Sequence, residues 1–361
     1  MEGNKKKASE IEGKKQVERG SWAFTFRQDE RGKVTGLPFR IAHVGAGEWS
    51  RYAHGPTLQR LAQQSVVSLE LICDLQIERA REFRDLFGYR LASDDIHGML
   101  AEVRPDAIVC TVQPSATAEL VRALLPFRIP LFIEKPPGVS LMEATSLAAA
   151  SVAAGAFTFV AFNRRAIPSI VRLKKWAMHH PVRFARAEML RTKRLESEFA
   201  IATGIHALDT IRFLMGDPES IEVEARPHGK SAACDYSVRL HFQNSAVAEL
   251  SLMLDTGLRR ESYFLSSDGT AAEAGLGAAY NSELSFQGDR QWMNETITER
   301  NSLVNDPLID GGFVGEYEEF FRLLAEGAPS TCSLSVAAHS MQLAEAVQNH
   351  YSGRLPPLSF V

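Results

Sequence analysis

The chain has 361 residues, of which 45% are apolar and 23% charged, and its net charge is −4. Its length exceeds the roughly 100 to 200 residues of one ordinary domain, so two domains are expected. The charge gives no case for nucleic acid or an anionic membrane surface as partner, and no apolar run approaches the roughly 18 to 20 residues that span a bilayer.

Residues 1–36 form an N-terminal extension. Its first twenty positions hold six Lys or Arg and four Asp or Glu with almost nothing to bury, which predicts a mobile, solvated tail. There is no apolar signal segment. Trp22, Phe24 and Phe26 alternate before a turn at Asp29-Glu30-Arg31-Gly32, so a small hairpin is the other reading. Cys73, Cys110, Cys234 and Cys332 are widely spaced and the first two lie in apolar runs, which predicts neither a disulfide framework nor a metal site and fits a reducing cytoplasm.

From Phe39 the pattern is regular. Arg40 to Val44 reads as a strand, Gly45-Ala46-Gly47-Glu48-Trp49-Ser50 as a glycine turn, Tyr52 to Gln64 as a helix, and Val67 to Cys73 as a strand that stops at Asp74. That order is the one a dinucleotide requires, because glycines let the backbone approach a pyrophosphate at a helix N-terminus while an acid accepts from the ribose hydroxyls. Ser50 stands in the third glycine's place, and Asp74 lies farther on than the usual spacing of about 20 residues. Leu75 and Gln76 follow with no Arg, so NAD is expected over NADP.

The alternation goes on with a helix carrying Ile77, Ala80, Phe83 and Phe87, and a strand over Asp106 to Val112 that leads into Pro114. Pro130 to Glu134 is a buried strand delivering Glu134 and Lys135 to a sheet edge. Ser140 and Glu143 make a capping box, and Phe157 to Phe162 is one more strand. The segment 37–162 is therefore expected to be an α/β Rossmann domain with a doubly wound parallel sheet.

Residues 163–361 read differently. Helices over Ile167 to His179 and Thr203 to Met215 flank a strand at Arg183 to Arg191. Strand candidates then follow without helices between them, at Ile221 to Ala225, Tyr236 to Phe242, Ala246 to Leu254, Glu261 to Ser266 and Glu283 to Gln287. This predicts an α+β domain with a large, mostly antiparallel open sheet, closed by helices over Gly315 to Glu326 and Ser335 to Tyr351.

Taken in order, Gly45-Ala46-Gly47, Asp74, Glu134-Lys135-Pro136, Phe162-Asn163-Arg164-Arg165 with Pro168, and Gly204-Ile205-His206-Ala207-Leu208-Asp209 resemble the Gfo/Idh/MocA oxidoreductases, over about residues 39–355. The resemblance implies an enzyme that moves a hydride between NAD(P) and a hydroxyl of a sugar, sugar acid or glycoside. It implies Lys135 and His206 as catalytic groups and a cis Lys135-Pro136 bond. Glu48, Trp49, Pro114 and Glu134 join Gly45, Ala46, Gly47, Asp74 and Lys135 around the cofactor. Asn163, Arg164, Arg191 and Asp209 are the expected substrate-binding residues.

Many relatives carry Asp four residues before the histidine, where this chain has Ala202. Asp209, three residues after His206 on a helix, could orient the ring instead, or be a buried carboxylate with a purely structural partner. The cations Arg183, Arg186, Arg191, Lys193 and Arg194 are either a solvated face or, for one or two, a seat for an acidic substituent. The expected partner is a small carbohydrate, acidic or neutral, and a homo-oligomer (dimer or tetramer) is implied by the family's open sheet. An NAD-dependent glycosidase that oxidises transiently and eliminates an aglycone is the alternative activity, and a non-catalytic dinucleotide-binding regulator is the second.

Overall fold

The computed structural model describes residues 38–229, 232–276, 282–288, 291–295 and 306–360. The hairpin expected around Trp22 to Gly32 lies outside them. No described helix is long and apolar enough to cross a membrane.

The first half alternates β1 (Phe39–Val44), α1 (Gly55–Gln63), β2 (Val67–Cys73), α2 (Ile77–Phe87), β3 (Leu91–Ser93), α3 (Ile96–Val103), β4 (Ala107–Cys110), α4 (Pro114–Leu124), β5 (Leu131–Glu134), α5 (Leu141–Ala154) and β6 (Thr158–Ala161). The six strands form one parallel sheet in the order β3-β2-β1-β4-β5-β6, which reverses direction between β1 and β4. Ligands of such sheets gather at that reversal, beyond the strands' carboxyl ends. Ile41, Ala42, Ile108, Val109, Phe132 and Ile133 are fully buried, as continuous apolar runs covered on both faces must be. The Ser140 hydroxyl accepts the Glu143 amide at 3.2 Å, whereas the Glu143 carboxylate takes the amide of Val139 in place of Ser140's own.

The second half contains α6 (Pro168–His179), β7 (Phe184–Leu190), α7 (Ile205–Met215), β8 (Ser220–Pro227), β9 (Cys234–His241), β10 (Val247–Met253), β11 (Arg260–Ser267), β12 (Thr270–Leu276), β13 (Ser282–Gly288) and β14 (Gln291–Glu295). It ends with α8 (Pro307–Asp310), α9 (Phe313–Glu326), α10 (Leu334–Gln348) and β15 (Gly353–Arg354). Nine strands run in the order β14-β13-β12-β11-β7-β10-β9-β8-β15, and every neighbouring pair is antiparallel except β7 with β10. In β7, Ala185, Ala187 and Met189 are buried while Arg186 on the other face is exposed. One side of this sheet is thus core and the other is open.

The two halves share packing. Helix α9 returns to the first sheet, where the Tyr317 ring stacks on Phe132 at 4.2 Å and Phe321 on Phe39 at 5.2 Å. Residues 313–326 therefore pack with the Rossmann strands although they follow the second sheet in sequence.

Two helix starts are corrected. The helix read from Tyr52 opens with a π-helical turn over Ser50–His54, and the one read from Thr203 with another over Ala200–Gly204. The sequence pattern shows none of β3, α3, α8, β14, β15 and β12. The first is too short and half-buried, and the last, Thr270–Leu276, is too rich in Ala and Gly to show strand propensity.

Candidate functional site at the carboxyl end of the parallel sheet

Gly45 leaves β1 with φ +106°, and a Cβ placed there would lie 2.6 Å from the Thr111 carbonyl oxygen. Only glycine fits. Gly47 differs, because a Cβ on it would meet nothing within 4 Å and its φ is not positive. Gly47 directly precedes the first turn of a helix, whose leading amides have no partner within it. A pyrophosphate fits this cradle.

The two glycines should therefore separate. Gly45→Ala is expected to destabilise the protein by about 1–3 kcal/mol. Gly47→Ala should leave thermal unfolding unchanged while weakening NAD binding at least tenfold. Melting curves alongside an NAD titration check both outcomes.

Beneath the turn, Ser50 is buried and its hydroxyl meets that of Thr111, which in turn meets Nε2 of His43 at 2.8 Å; His43 Nδ1 meets the Tyr89 hydroxyl at 2.9 Å. Ser50 is thus a hydrogen-bonding anchor as well as a small residue where the third glycine was expected. Burial, then the charge of His54, holds His43 far below the usual histidine range, so this network is neutral at pH 7.

At the end of β2, Asp74 accepts the amides of Ala46 and Gln76, both at 2.9 Å. This carboxylate braces the glycine turn from below. The expectation that no cation stands near it is corrected, since Arg79, in the first turn of α2, lies 3.7 Å away with its side chain 40% exposed. Glu48 and Pro114 are exposed, and Trp49 stacks on Tyr52 at 5.4 Å while its indole bonds the Glu134 carboxylate.

The β5 terminus carries the charged pair. Glu134 accepts the amide of Lys135 at 2.9 Å, and the Lys135-Pro136 bond is cis. Burial pushes the Glu134 carboxyl up to about 7, opposed by the adjacent ammonium. Glu316 on α9 is buried with one oxygen unpartnered, and burial followed by the Glu134 charge keeps it well above the usual carboxylate range. The Lys135 ammonium donates to the carbonyl of Ala202 at 2.9 Å, and burial lowers its pKa to about 8 while Glu134 opposes the change. The residue at the position of the missing Asp thus holds the lysine through its main chain.

His206 opens α7, 7% exposed, with Nδ1 unpartnered within the protein. Burial and then Arg164, Lys135, Arg191 and Arg194 hold it far below the usual histidine range. At pH 7 it is a neutral imidazole beside four cations.

The expected substrate residues are brought to the same region, but onto protein partners. Asp209 is fully buried and paired bidentately with Arg165 at 2.7 and 2.8 Å, and it also accepts the Ser340 hydroxyl. It is not the partner of His206 Nδ1 and has no exposed oxygen for a substrate. Asn163 is buried, its amide donating to the Gly311 carbonyl and its oxygen accepting from Arg164. Arg164 and Arg191 both grip the buried Glu261, which also accepts the Tyr263 hydroxyl at 2.6 Å. Arg191 donates further to the carbonyls of Leu190 and Arg260. These arginines act on the cleft through their charge, because burial compels each to take a fixed partner.

Arg194, also noted in the sequence, remains about half exposed, joined to Glu196 and Thr203. Sequence reading missed Glu261, Glu316, Glu196 and Thr203. Glu261 and Glu196 stand in no motif, Thr203 directly precedes the motif that holds His206, and Glu316 lies in the run Glu316-Tyr317-Glu318-Glu319-Phe320-Phe321, so their part in the site comes from the fold. Among the described residues no cluster of His, Cys, Asp or Glu could hold a metal.

Residues 39–162 match the model of an oxidoreductase family with an NAD-binding Rossmann fold, and residues 185–356 that of its C-terminal alpha/beta domain. A curated relative, myo-inositol 2-dehydrogenase of Thermotoga maritima, is 24% identical over 159 residues, 41% of this chain and 48% of that protein, so the match spans about half the relative's length. Among solved structures, an oxidoreductase from Agrobacterium radiobacter in complex with NAD+, L-tartaric acid and magnesium superposes with a TM-score of 0.77 at 18% identity, covering 88% of this chain and 98% of that one. A levoglucosan dehydrogenase in complex with NADH and L-sorbose gives 0.77 at 14% identity over 88% and 99%. At these identities the structural likeness concerns the fold.

Proposed function

Because this chain belongs to the Gfo/Idh/MocA family of NAD-binding oxidoreductases, we propose that it oxidises a hydroxyl group of a carbohydrate that carries an acidic substituent, with NAD as the hydride acceptor. The observation that carries the reading is the set of cations gathered toward His206, namely Lys135, Arg164, Arg191 and Arg194, whose charges together disfavour its protonation. Glu261 pairs with Arg164 and Arg191 and Glu196 with Arg194, and the positive field that remains at His206 attracts a carboxylate more than a neutral sugar. The inositol and levoglucosan activities named for two similar proteins support a polyol or sugar, and the tartaric acid beside NAD+ in a third supports an acid.

In this reading Gly45, Gly47 and the helix amides seat the pyrophosphate, and Asp74 braces their turn. Bound NAD supplies a carbon that takes the hydride. Lys135, with a pKa of about 8, is the proton acceptor, because a base works best when its pKa lies near the working pH. His206 is too hard to protonate for that task and instead donates or accepts a hydrogen bond at the reacting oxygen. As the C–H bond breaks, the hydroxyl proton passes to the Lys135 amine and a carbonyl forms. The resulting ammonium later releases its proton to water.

The test is a panel of neutral sugars, sugar acids and aryl glycosides with NAD, following NADH and aglycone together. NADH is expected to accumulate with a sugar acid at a kcat/KM at least tenfold above that for its neutral counterpart. Aglycone release without net NADH would instead make the chain a glycosidase, and binding of NAD with no turnover of any compound a regulator. The open face of the second sheet, with Arg186 and Arg239 exposed, supports a homo-oligomer, which light scattering of the purified protein would size. The four buried free cysteines support work in a reducing compartment.

A further inference from the structure

Four cations act on His206, and their fixed contacts separate them. Arg164 and Arg191 are 7% and 6% exposed and share Glu261, so each is already committed to a buried carboxylate. Lys135 is held at the Ala202 carbonyl beside the reacting hydroxyl's expected place. Arg194 is different in each respect. Its side chain is 47% exposed, and its carboxylate partner Glu196 stands two residues away on the same loop.

The Arg194 guanidinium bonds Glu196 at 2.6 and 2.9 Å and donates to the Thr203 hydroxyl at 2.6 Å. Thr203 also donates to Glu196 at 3.2 Å. Thr203 is buried and lies three residues before His206 in one continuous helical stretch, so it holds the guanidinium near the start of α7, where His206 stands. The guanidinium is therefore tethered at the histidine's end of the cleft by a contact that does not involve Glu196. The Arg194–Glu196 pair is partly exposed, at 47% and 29% of the side chains, so solvent screens it and its exchange costs less than that of a buried pair. A planar guanidinium receives a second carboxylate bidentately with no change of its own shape.

We infer that Arg194 is the group that binds the substrate's carboxylate, exchanging Glu196 for the ligand while Thr203 keeps the guanidinium in place. The inference rests on the proposed acidic substrate and names the residue that selects it. Glu196 acts as a resident competitor, occupying the arginine until an acid arrives. Arg164 and Arg191 supply attraction at longer range, and Arg194 supplies contact.

The experiment uses the full chain saturated with NADH, so that no probe is oxidised. Calorimetric titration compares L-tartrate, D-galacturonate and D-gluconate with neutral D-galactose in the wild type, Arg194→Gln and Glu196→Gln. Arg194→Gln is expected to weaken the acids at least tenfold and leave galactose and NADH within twofold. Glu196→Gln should tighten the acids severalfold, a gain that a merely structural loop contact would not give. Acid affinity unchanged in Arg194→Gln, or weakened in Glu196→Gln as much as in Arg194→Gln, overturns the inference and leaves the acidic substrate standing. Failure of the wild type to bind any of the three acids, while it oxidises a neutral sugar, overturns both.

Discussion

Lys135→Ala is expected to lower kcat by about 10²- to 10⁴-fold, the range over which a positioned proton acceptor accelerates a reaction. NAD affinity should change by no more than a few fold, because the glycine turn and Asp74 are untouched. The pH dependence makes the assignment specific. The amine form is the active one for oxidation, so kcat/KM should rise about tenfold per unit as pH approaches about 8, then level off. Glu134 holds the lysine's pKa up, so Glu134→Gln should move the rising limb to lower pH, while Lys135→Ala should abolish it. Steady-state oxidation measured between pH 6 and pH 10 decides the matter. A limb that persists in Lys135→Ala would assign the titration to another group.

The second large effect concerns stability. Glu261→Gln should destabilise folding by about 3–5 kcal/mol, because it leaves the Arg164 and Arg191 guanidinium groups buried against a neutral amide. Burial alone would raise the Glu261 carboxyl, yet Arg164 and Arg191 outweigh it and hold the group at about 2, below the 4.5 of an unperturbed Glu. A carboxyl depressed on folding contributes stability that is complete above its unfolded pKa and disappears as pH falls through its folded value. The difference amounts to about 3 kcal/mol at neutral pH and should fade between about pH 4.5 and pH 2. Urea unfolding of both proteins across that window should show midpoints far apart at pH 7 and converging in acid. A constant gap would mean that the arginines hold a different partner.

Much of this architecture is legible in the sequence because buried parallel strands announce themselves. Ile41 to Val44, apolar but for His43, and Leu131 to Ile133, apolar throughout, each end in residues that a strand interior would not tolerate. Lys135 and His206 were legible for a different reason, each standing in a short ordered motif. Their surroundings were not. Glu261 is 97 residues from Arg164, Asp209 is 44 from Arg165, and Ser340 is 131 from Asp209. No local pattern encodes such pairings, since a buried arginine accepts whichever carboxylate the packing brings. Asp209 shows the consequence, because helical spacing puts it on the face of His206 while its charge is claimed by Arg165. Arg79 was closer to hand, because the first turn of a helix that follows an acid at a strand end brings its side chains back toward that acid.

The lysine's attachment to a main-chain oxygen has implications for how such a site can diversify. Every amino acid carries the same carbonyl, so residue 202 can change identity without releasing the ammonium it holds. Geometry and local charge are thereby uncoupled at one position. A lineage could acquire or lose a carboxylate there in a single mutational step, altering which compounds are accepted while the proton acceptor stays in register. The π-helical turn that presents this oxygen would then be the conserved element, and the side chain mounted on it the variable one.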